Sequence, residues 1–337
     1  MACLIAAIAF LLSMAGCSSQ AVARPIVPAA AADGPTKAGA EPVTLWQDAT
    51  IFSLVSRLIA TAHRRVLVEM YELGRKDLVG ELGAAESRGV AVRVITDPTV
   101  TASRHSAALL DSLGVPERVY PVDDGRHQID HVKLLIADGE AVVGGMNWGK
   151  HSDRNHDYVL ETRVAGELDR LSRIFEQDWS LAGGAPAPLA GAPGEIAQTA
   201  PGEGIRAMLE DALDGARQRA FAEVYTLTDA EVVARLVAAH RRGVDVRVIL
   251  DPNQPYNLHA RDVLTRAGVP VRWYPVPKGA LLHAKIGLFD GVLVLGSANW
   301  TLSGLGVNHE VDIETRDPSA GAAYLSRFES DWTRSAA

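Results

Sequence analysis

The chain is written twice, and that restricts what it can fold into more than any other feature. Arg88-Gly-Val-Ala-Val-Arg-Val-Ile-Thr-Asp97-Pro98 returns as Arg242-Gly-Val-Asp-Val-Arg-Val-Ile-Leu-Asp251-Pro252. Glu69-Met-Tyr71 returns as Glu223-Val-Tyr225, and Asn155-His156-Asp157 as Asn308-His309-Glu310. Glu161-Thr162 matches Glu314-Thr315, and Phe175-Glu-Gln-Asp-Trp179 matches Phe328-Glu-Ser-Asp-Trp332. The offset stays between 152 and 154 residues throughout. So many ordered matches at one spacing identify an internal duplication, and each copy must be a unit of the same architecture. A chain of 337 residues is long enough for the two copies to bury a large core.

Each copy alternates strand-like and helix-like periodicity. Helices are expected at Thr50–His63 and Gly204–Arg217, then buried strands at Val66–Tyr71 and Phe221–Leu227. Second helices follow at Asp77–Arg88 and Asp229–Arg241, then strands at Val90–Thr96 and Val244–Leu250. A third helix, a short strand near Tyr120 or Tyr274, three further strands and a closing helix complete each copy. This order predicts an α/β sandwich with mixed sheets, its two halves packed about a pseudo-twofold axis. The expected segments are a processing signal at 1–17, an Ala/Pro/Gly tether at 18–43, a first repeat at 44–180, a linker at 181–203 and a second repeat at 204–335.

Within the repeats, one pair of stretches carries chemistry. His131-Val-Lys133-Leu-Leu-Ile-Ala-Asp138 precedes Gly144-Gly145-Met-Asn147-Trp148, and His283-Ala-Lys285-Ile-Gly-Leu-Phe-Asp290 precedes Gly296-Ser297-Ala-Asn299-Trp300. Residues two apart on a strand share a face, so each copy is expected to present an imidazole beside an ammonium. Glycines permit close backbone approach, and an Asn supplies an amide donor. Brought together at the axis, two His, two Lys and two Asn suit a phosphodiester. Lysines and amides can hold the charge that develops on the equatorial oxygens. One His can attack phosphorus while the other protonates the leaving alcohol. Asp157 and Glu310 are the candidate carboxylates for orienting the imidazoles. This chemistry needs no cofactor and no metal.

The paired H-x-K-x4-D motif with its following glycine pair and Asn resembles the phospholipase D superfamily, over nearly all of the chain from about residue 44. The resemblance implies a metal-free phosphohistidine mechanism at one site between the halves. It places His131, Lys133, Asn147, His283, Lys285 and Asn299 in that site, with Asp138 and Asp290 as structural supports. It also implies attack by His131 and acid catalysis by His283. Two departures stand out: five residues separate the motif Asp from the glycine pair, and the first half has Asp157 where the family usually has Glu.

Other recurring residues have plainer readings. Trp179 and Trp332 are expected in the core and Trp148 and Trp300 either in the core or lining a substrate cleft, while Tyr71 and Tyr225, at strand ends, are candidates for the cleft. His156 and His309 neighbour the carboxylates, so their rings are expected to point elsewhere. His127 and His131 have i, i+4 spacing, but the second is on an expected strand, which argues against a metal pair. Asp97-Pro98 and Asp251-Pro252 read as turns that end strands.

The N-terminus resembles the lipobox of bacterial lipoproteins. An apolar run from Leu4 to Met14 is too short for a confident span and ends in Met14-Ala15-Gly16-Cys17. The resemblance implies export, lipidation of Cys17 and attachment to a membrane, the alternatives being an ordinary cleaved signal on a secreted protein or an uncleaved anchor. Met14 replaces the usual Leu, and no Lys or Arg precedes the run. The substrate expected beside such an anchor is a phospholipid, hydrolysed to phosphatidic acid or transferred to an alcohol, by a monomer that holds both half-sites. An endonuclease is the runner-up; a net charge of −8 and the lack of a basic run weigh against it. A cardiolipin-synthase-like transferase comes next, and a catalytically dead envelope-binding module last.

Overall fold

The computed structural model describes residues 42–185, 194–200 and 202–337. Cys17, the apolar run before it and the tether as far as Glu41 lie outside the described residues. No helix among the described residues is long and apolar enough to cross a membrane.

The first half runs β1 (Val43–Gln47), α1 (Thr50–Thr61), β2 (Arg65–Met70), α2 (Lys76–Ser87), β3 (Ala91–Thr96), α3 (Thr101–Ser112) and β4 (Glu117–Val119). It continues with β5 (Lys133–Ala137), β6 (Glu140–Gly144), β7 (Tyr158–Thr162) and α4 (Ala165–Ala182). The second half repeats the order as β8 (Ile196–Thr199), α5 (Gly204–Gly215), β9 (Arg219–Val224), α6 (Ala230–Arg241), β10 (Asp245–Leu250), α7 (Asn257–Arg266) and β11 (Val271–Trp273). It closes with β12 (Lys285–Phe289), β13 (Val292–Gly296), the short α8 (Leu302–Gly306), β14 (Glu310–Thr315) and α9 (Pro318–Arg334).

Each half forms a seven-stranded mixed sheet, ordered β1-β7-β6-β5-β2-β3-β4 and β8-β14-β13-β12-β9-β10-β11. Strands β2, β3 and β4 pair in parallel, the rest antiparallel, and the second sheet copies this pattern. The sheet therefore corrects the expected linker at 181–203: Ile196–Thr199 is an edge strand on β14, as Val43–Gln47 is on β7. Its sequence, Ile-Ala-Gln-Thr, is too short for alternation to identify it, and the strand gains its partner only from a segment far along the chain. The preceding helix also runs two residues past the expected boundary, to Ala182.

One apolar core joins the sheets, with Leu134, Ile136, Leu160 and Phe175 of the first half packed in the same cluster as Ile286, Leu288, Ile313 and Phe328 of the second. Two outer cores lie under the flanking helices. Helix α1 buries Ile51, Leu54, Val55, Leu58 and Ile59, an i, i+3, i+4, i+7 stripe, and α5 buries Ile205, Met208, Leu209, Ala212 and Leu213 likewise. The closing helices α4 and α9 contribute Leu171, Ile174, Phe175, Tyr324 and Phe328 to the central core. Both sheets are thus covered on two faces, which explains why β5 and β12 are buried at every position rather than alternating.

Candidate active site

The central sheets deliver the two motifs to one place. Strand β5 begins at Lys133 and β12 at Lys285, so His131 and His283 lie in the extended residues just before the strands rather than within them. Those residues are tied across the pseudo-twofold axis by backbone hydrogen bonds. His131 N–H donates to the His309 carbonyl at 2.8 Å, and His309 N–H to the Ile129 carbonyl at 2.9 Å. The mirror pair is His283 N–H to the His156 carbonyl and His156 N–H to the Leu281 carbonyl, both 2.8 Å. Asp97 and Asp251 reinforce these segments by accepting from the N–H groups of Asp130 (2.7 Å) and Leu282 (2.6 Å). The turn aspartates therefore do more than end strands.

This exchange places the carboxylate of each half on the histidine of the other. Nδ1 of His131 is 2.9 Å from Glu310 Oε2, and Nδ1 of His283 is 2.7 Å from Asp157 Oδ2. An ionised carboxylate only accepts, so each Nδ1 carries its proton and each Nε2 is left for chemistry. The shorter Asp157 reaches its histidine because Gly145 leaves the room: a Cβ there would overlap Asp157 Oδ1. In the second half Ser297 stands in that place, and its hydroxyl accepts from Val311 N–H at 3.0 Å.

The lysines complete the pairs. Lys133 Nζ donates to the His131 carbonyl and Lys285 Nζ to the His283 carbonyl. Lys285 Nζ also lies 2.9 Å from Nδ1 and 3.1 Å from Nε2 of His283. With that Nδ1–H committed to Asp157, the ammonium acts on the ring by its charge. Tyr71 and Tyr225 do face the site, their rings 4.7 Å from His131 and 4.8 Å from His283, with the ammoniums 5.0 and 5.2 Å over their centroids. Asn147 is buried and Asn299 half-buried, and the side-chain carbonyl of neither has a partner among the described residues.

Burial dominates the electrostatics. Desolvation and the neighbouring Lys285 push His283 down to about 4, while His131 is lowered by burial against the opposing pull of Glu310. Burial also takes Lys133 down to about 7 and Lys285 to about 8. Glu310 stays below its ordinary value, because His131 and Lys133 outweigh the burial that would raise it. The pocket is thus a poor host for its own positive charges and a good one for an anion.

The motif aspartates sit outside this group. Asp138 accepts from the backbone N–H groups of His63, Arg64 and Arg65 at 2.8–2.9 Å, and Asp290 from those of Arg217, Gln218 and Arg219 over the same range. Trp148 and Trp300 are buried in the outer cores; Trp179 and Trp332 are half-buried against the central one, under arginines. His127 is exposed at the end of a short 3-10 turn, so its spacing to His131 is not helical. His156 and His309 point away from the imidazoles of the motifs, into buried clusters containing Glu223 and Asp331, and Glu69 and Asp178. Those four acids are buried partners that the motifs do not include, although all four recur between the copies. A groove lined by Glu72, Lys150, His151, Asn155, Asn253 and Leu281, from both halves, has a volume of about 520 Å³.

Comparison with known proteins agrees with the geometry. The family model described as "Cardiolipin synthase, PLD-like domain" matches residues 55–179 and again 209–332. Cardiolipin synthase A of Pseudomonas syringae pv. syringae is 27% identical over 331 aligned residues, covering 83% of this chain and 66% of that protein. Mitochondrial cardiolipin hydrolase of Chlamydomonas reinhardtii is 32% identical over 32% of this chain and 49% of its own length. The chain thus spans half to two-thirds of these relatives. Phosphatidylserine synthase of Haemophilus influenzae shares the fold, with a TM-score of 0.71 at 12% identity over 88% of this chain and 87% of that one.

Proposed function

We propose, on the premise that this chain belongs to the phospholipase D-like family of the cardiolipin synthase domain and acts on phosphodiester bonds, that its substrate is a phospholipid. The reading rests on one observation above the others: each motif histidine is held at Nδ1 by a carboxylate of the opposite half. Neither half holds a complete pair, so the catalytic unit is the duplicated chain, acting as a monomer. The relatives named above act on or make phospholipids by their names, which favours the same substrate class here. Exposed Tyr256, Leu258 and Leu302, on segments that follow β10 and β13 at the end of the sheet where the histidines sit, offer apolar contacts to a lipid surface.

The steps follow from the donors. Lys133, Lys285, Asn147 and Asn299 hold the nonbridging oxygens. His131 Nε2 attacks phosphorus; the bond to the headgroup oxygen breaks, and that oxygen takes its proton from Nε2 of His283. Water then gives a proton to His283 as its oxygen displaces His131, releasing phosphatidic acid. An alcohol in place of water gives a phosphatidyl alcohol. The required proton on His283 is taken up on binding, because the phosphate's negative charge raises a histidine that burial and Lys285 otherwise keep neutral. A transferase reading, favoured by the family model and by the long alignment with cardiolipin synthase A, uses the same first step and an alcohol acceptor. Export and a lipid on Cys17 would keep the enzyme at its substrate; Cys17→Ser should then leave the membrane fraction, and retention there would contradict the anchor.

The test incubates the full chain, in detergent and without added divalent metal, with phosphatidylcholine vesicles, phosphatidylglycerol vesicles, and single- and double-stranded DNA. Choline release without DNA cleavage supports the phospholipase, and cardiolipin with free glycerol from phosphatidylglycerol supports the transferase. DNA cleavage with neither lipid product overturns the phospholipid assignment.

A further inference from the structure

The duplication supplies a controlled comparison between the buried surroundings of His156 and those of His309. Each imidazole stacks on a tyrosine, His156 on Tyr274 at 4.8 Å and His309 on Tyr120 at 4.6 Å, nearly parallel in both cases. Around His156 stand Asp48 (2.6 Å), Asp331 (3.2 Å) and Glu223 (3.6 Å). Arg327 pairs with Asp48 and Asp331, Arg334 pairs with Asp331, and the Tyr158 hydroxyl donates to Glu223 at 2.6 Å. Three carboxylates therefore meet one imidazolium and two guanidiniums, and the charges cancel.

The other copy has lost every one of those donors. By the same alignment Ile174 stands for Arg327, Leu181 for Arg334 and Val311 for Tyr158, while Asp130 stands where the other copy has Leu282. Around His309 lie Glu69, Asp130 and Asp178, all fully buried, with Nε2 3.1 Å from Asp178 Oδ2 and 3.4 Å from Glu69 Oε1. Three carboxylates now meet one imidazole, and even with that ring protonated two negative charges have no counter-charge in this cluster. Both oxygens of Glu69, both of Asp178 and Oδ2 of Asp130 have no hydrogen-bond partner among the described residues. Leaving such groups buried and unpaired is among the costliest arrangements in a protein interior.

The histidine is set as a ligand. Its Nδ1 faces two acceptors, the carbonyls of Thr199 at 3.2 Å and Ala200 at 3.1 Å, so that nitrogen carries the proton. Nε2 then faces the carboxylates, where a metal ion can take the place of the proton that it shares with Asp178 and Glu69. A backbone carbonyl on the far nitrogen is the usual support of a metal-binding histidine. Ligand atoms of Glu69, Asp130 and His309 lie within 4.8 Å of one another, close enough to share an ion.

We infer that Glu69, Asp130 and His309, with Asp178 beside them, form a divalent-cation site that joins the two halves. The ion supplies the charge that Arg327 and Arg334 supply in the other copy. Its role is structural: it lies among groups that take no part in the phosphoryl chemistry. Asp130 directly precedes His131, and His309 holds the His131 backbone, so the ion also steadies that histidine. Carboxylates with one imidazole suit Mn²⁺ or Zn²⁺.

The full chain, stripped with EDTA and re-equilibrated with Mn²⁺ or Zn²⁺ alone, is assayed for bound metal by mass spectrometry and for its melting temperature. One ion per chain and a higher melting temperature are expected. Asp130→Asn, and Leu181→Arg at a half-buried position on α4 where the other copy already carries arginine, should each weaken binding at least tenfold. Failure to bind either metal, or unchanged affinity in Leu181→Arg, overturns the proposal. If Asp130→Asn does not fold, Leu181→Arg and the metal content of the unaltered chain still decide it.

Discussion

Lys133→Met should make the protein inactive and more stable. The ammonium is buried and sits near a second one, Lys285, and its titration falls from an ordinary 10.5 to about 7. At 1.36 kcal/mol per tenfold change in proton affinity, holding this charge at pH 7 costs roughly 4 kcal/mol. Methionine keeps the apolar stem and removes the charge, at the loss of a hydrogen bond to the His131 carbonyl worth about 1 kcal/mol. The net gain is on the order of 3 kcal/mol, or about 6 °C in melting temperature for a chain of this size. The sign also fixes a pH dependence. The folded value is depressed, so the unfolded chain binds more protons and the unaltered protein gains stability as pH rises from about 7 towards 10.5. The gap between variant and parent is therefore full below pH 7 and closes towards pH 10.5. Inorganic phosphate should raise the melting temperature of the parent and leave the variant almost unmoved. Differential scanning calorimetry across pH reads all three effects. A variant that melts several degrees below its parent at pH 7 would refute the reasoning.

Other outcomes follow from the same geometry. His131→Ala should abolish turnover of any substrate, whereas His283→Ala should lose unactivated lipids yet retain a measurable burst with a p-nitrophenyl phosphodiester, whose leaving group needs no acid; equal loss on both substrates would contradict the assigned roles. In the free enzyme kcat/KM should fall above about pH 8, as Lys133 and Lys285 lose the protons that let them hold an anion; a flat profile to pH 10 would contradict it. Gly145→Ala should displace Asp157 and cost about 10- to 100-fold in kcat through His283, with near-normal stability, as a misplaced supporting group does. Asp138→Ala should instead destabilise by about 2–3 kcal/mol in urea unfolding, since it strands three backbone donors and puts alanine at a positive φ, while kcat stays close to that of the parent.

The repeat made most of this architecture legible, because two copies of one periodicity pattern can be read against each other. Helices such as Thr50–Thr61 carried their own apolar stripe and lay within two residues of expectation. The strand Ile196–Thr199 did not: four residues with a polar Gln and Thr gain their identity only from pairing with β14. The site residues were named by the motifs, but their partners were not. Nothing local in Asp157 says that it belongs to His283 rather than His131; that follows from backbone pairing across the axis. Glu69, Asp178, Glu223 and Asp331 recurred in plain view at strand and helix positions. Their pairing was not legible, because the sequence does not show that the opposite half's histidine reaches them.

Trapping the proposed phosphohistidine, at a single site shared by both halves, is the most direct test. The full chain is mixed with a phosphodiester substrate, quenched within the first turnover and digested for mass spectrometry under conditions that preserve phosphoramidates. One adduct per chain is expected, on His131, absent from His131→Ala and accumulating in His283→Ala with an activated substrate. An adduct on both motif histidines of one chain, or turnover with no histidine adduct at all, would contradict it.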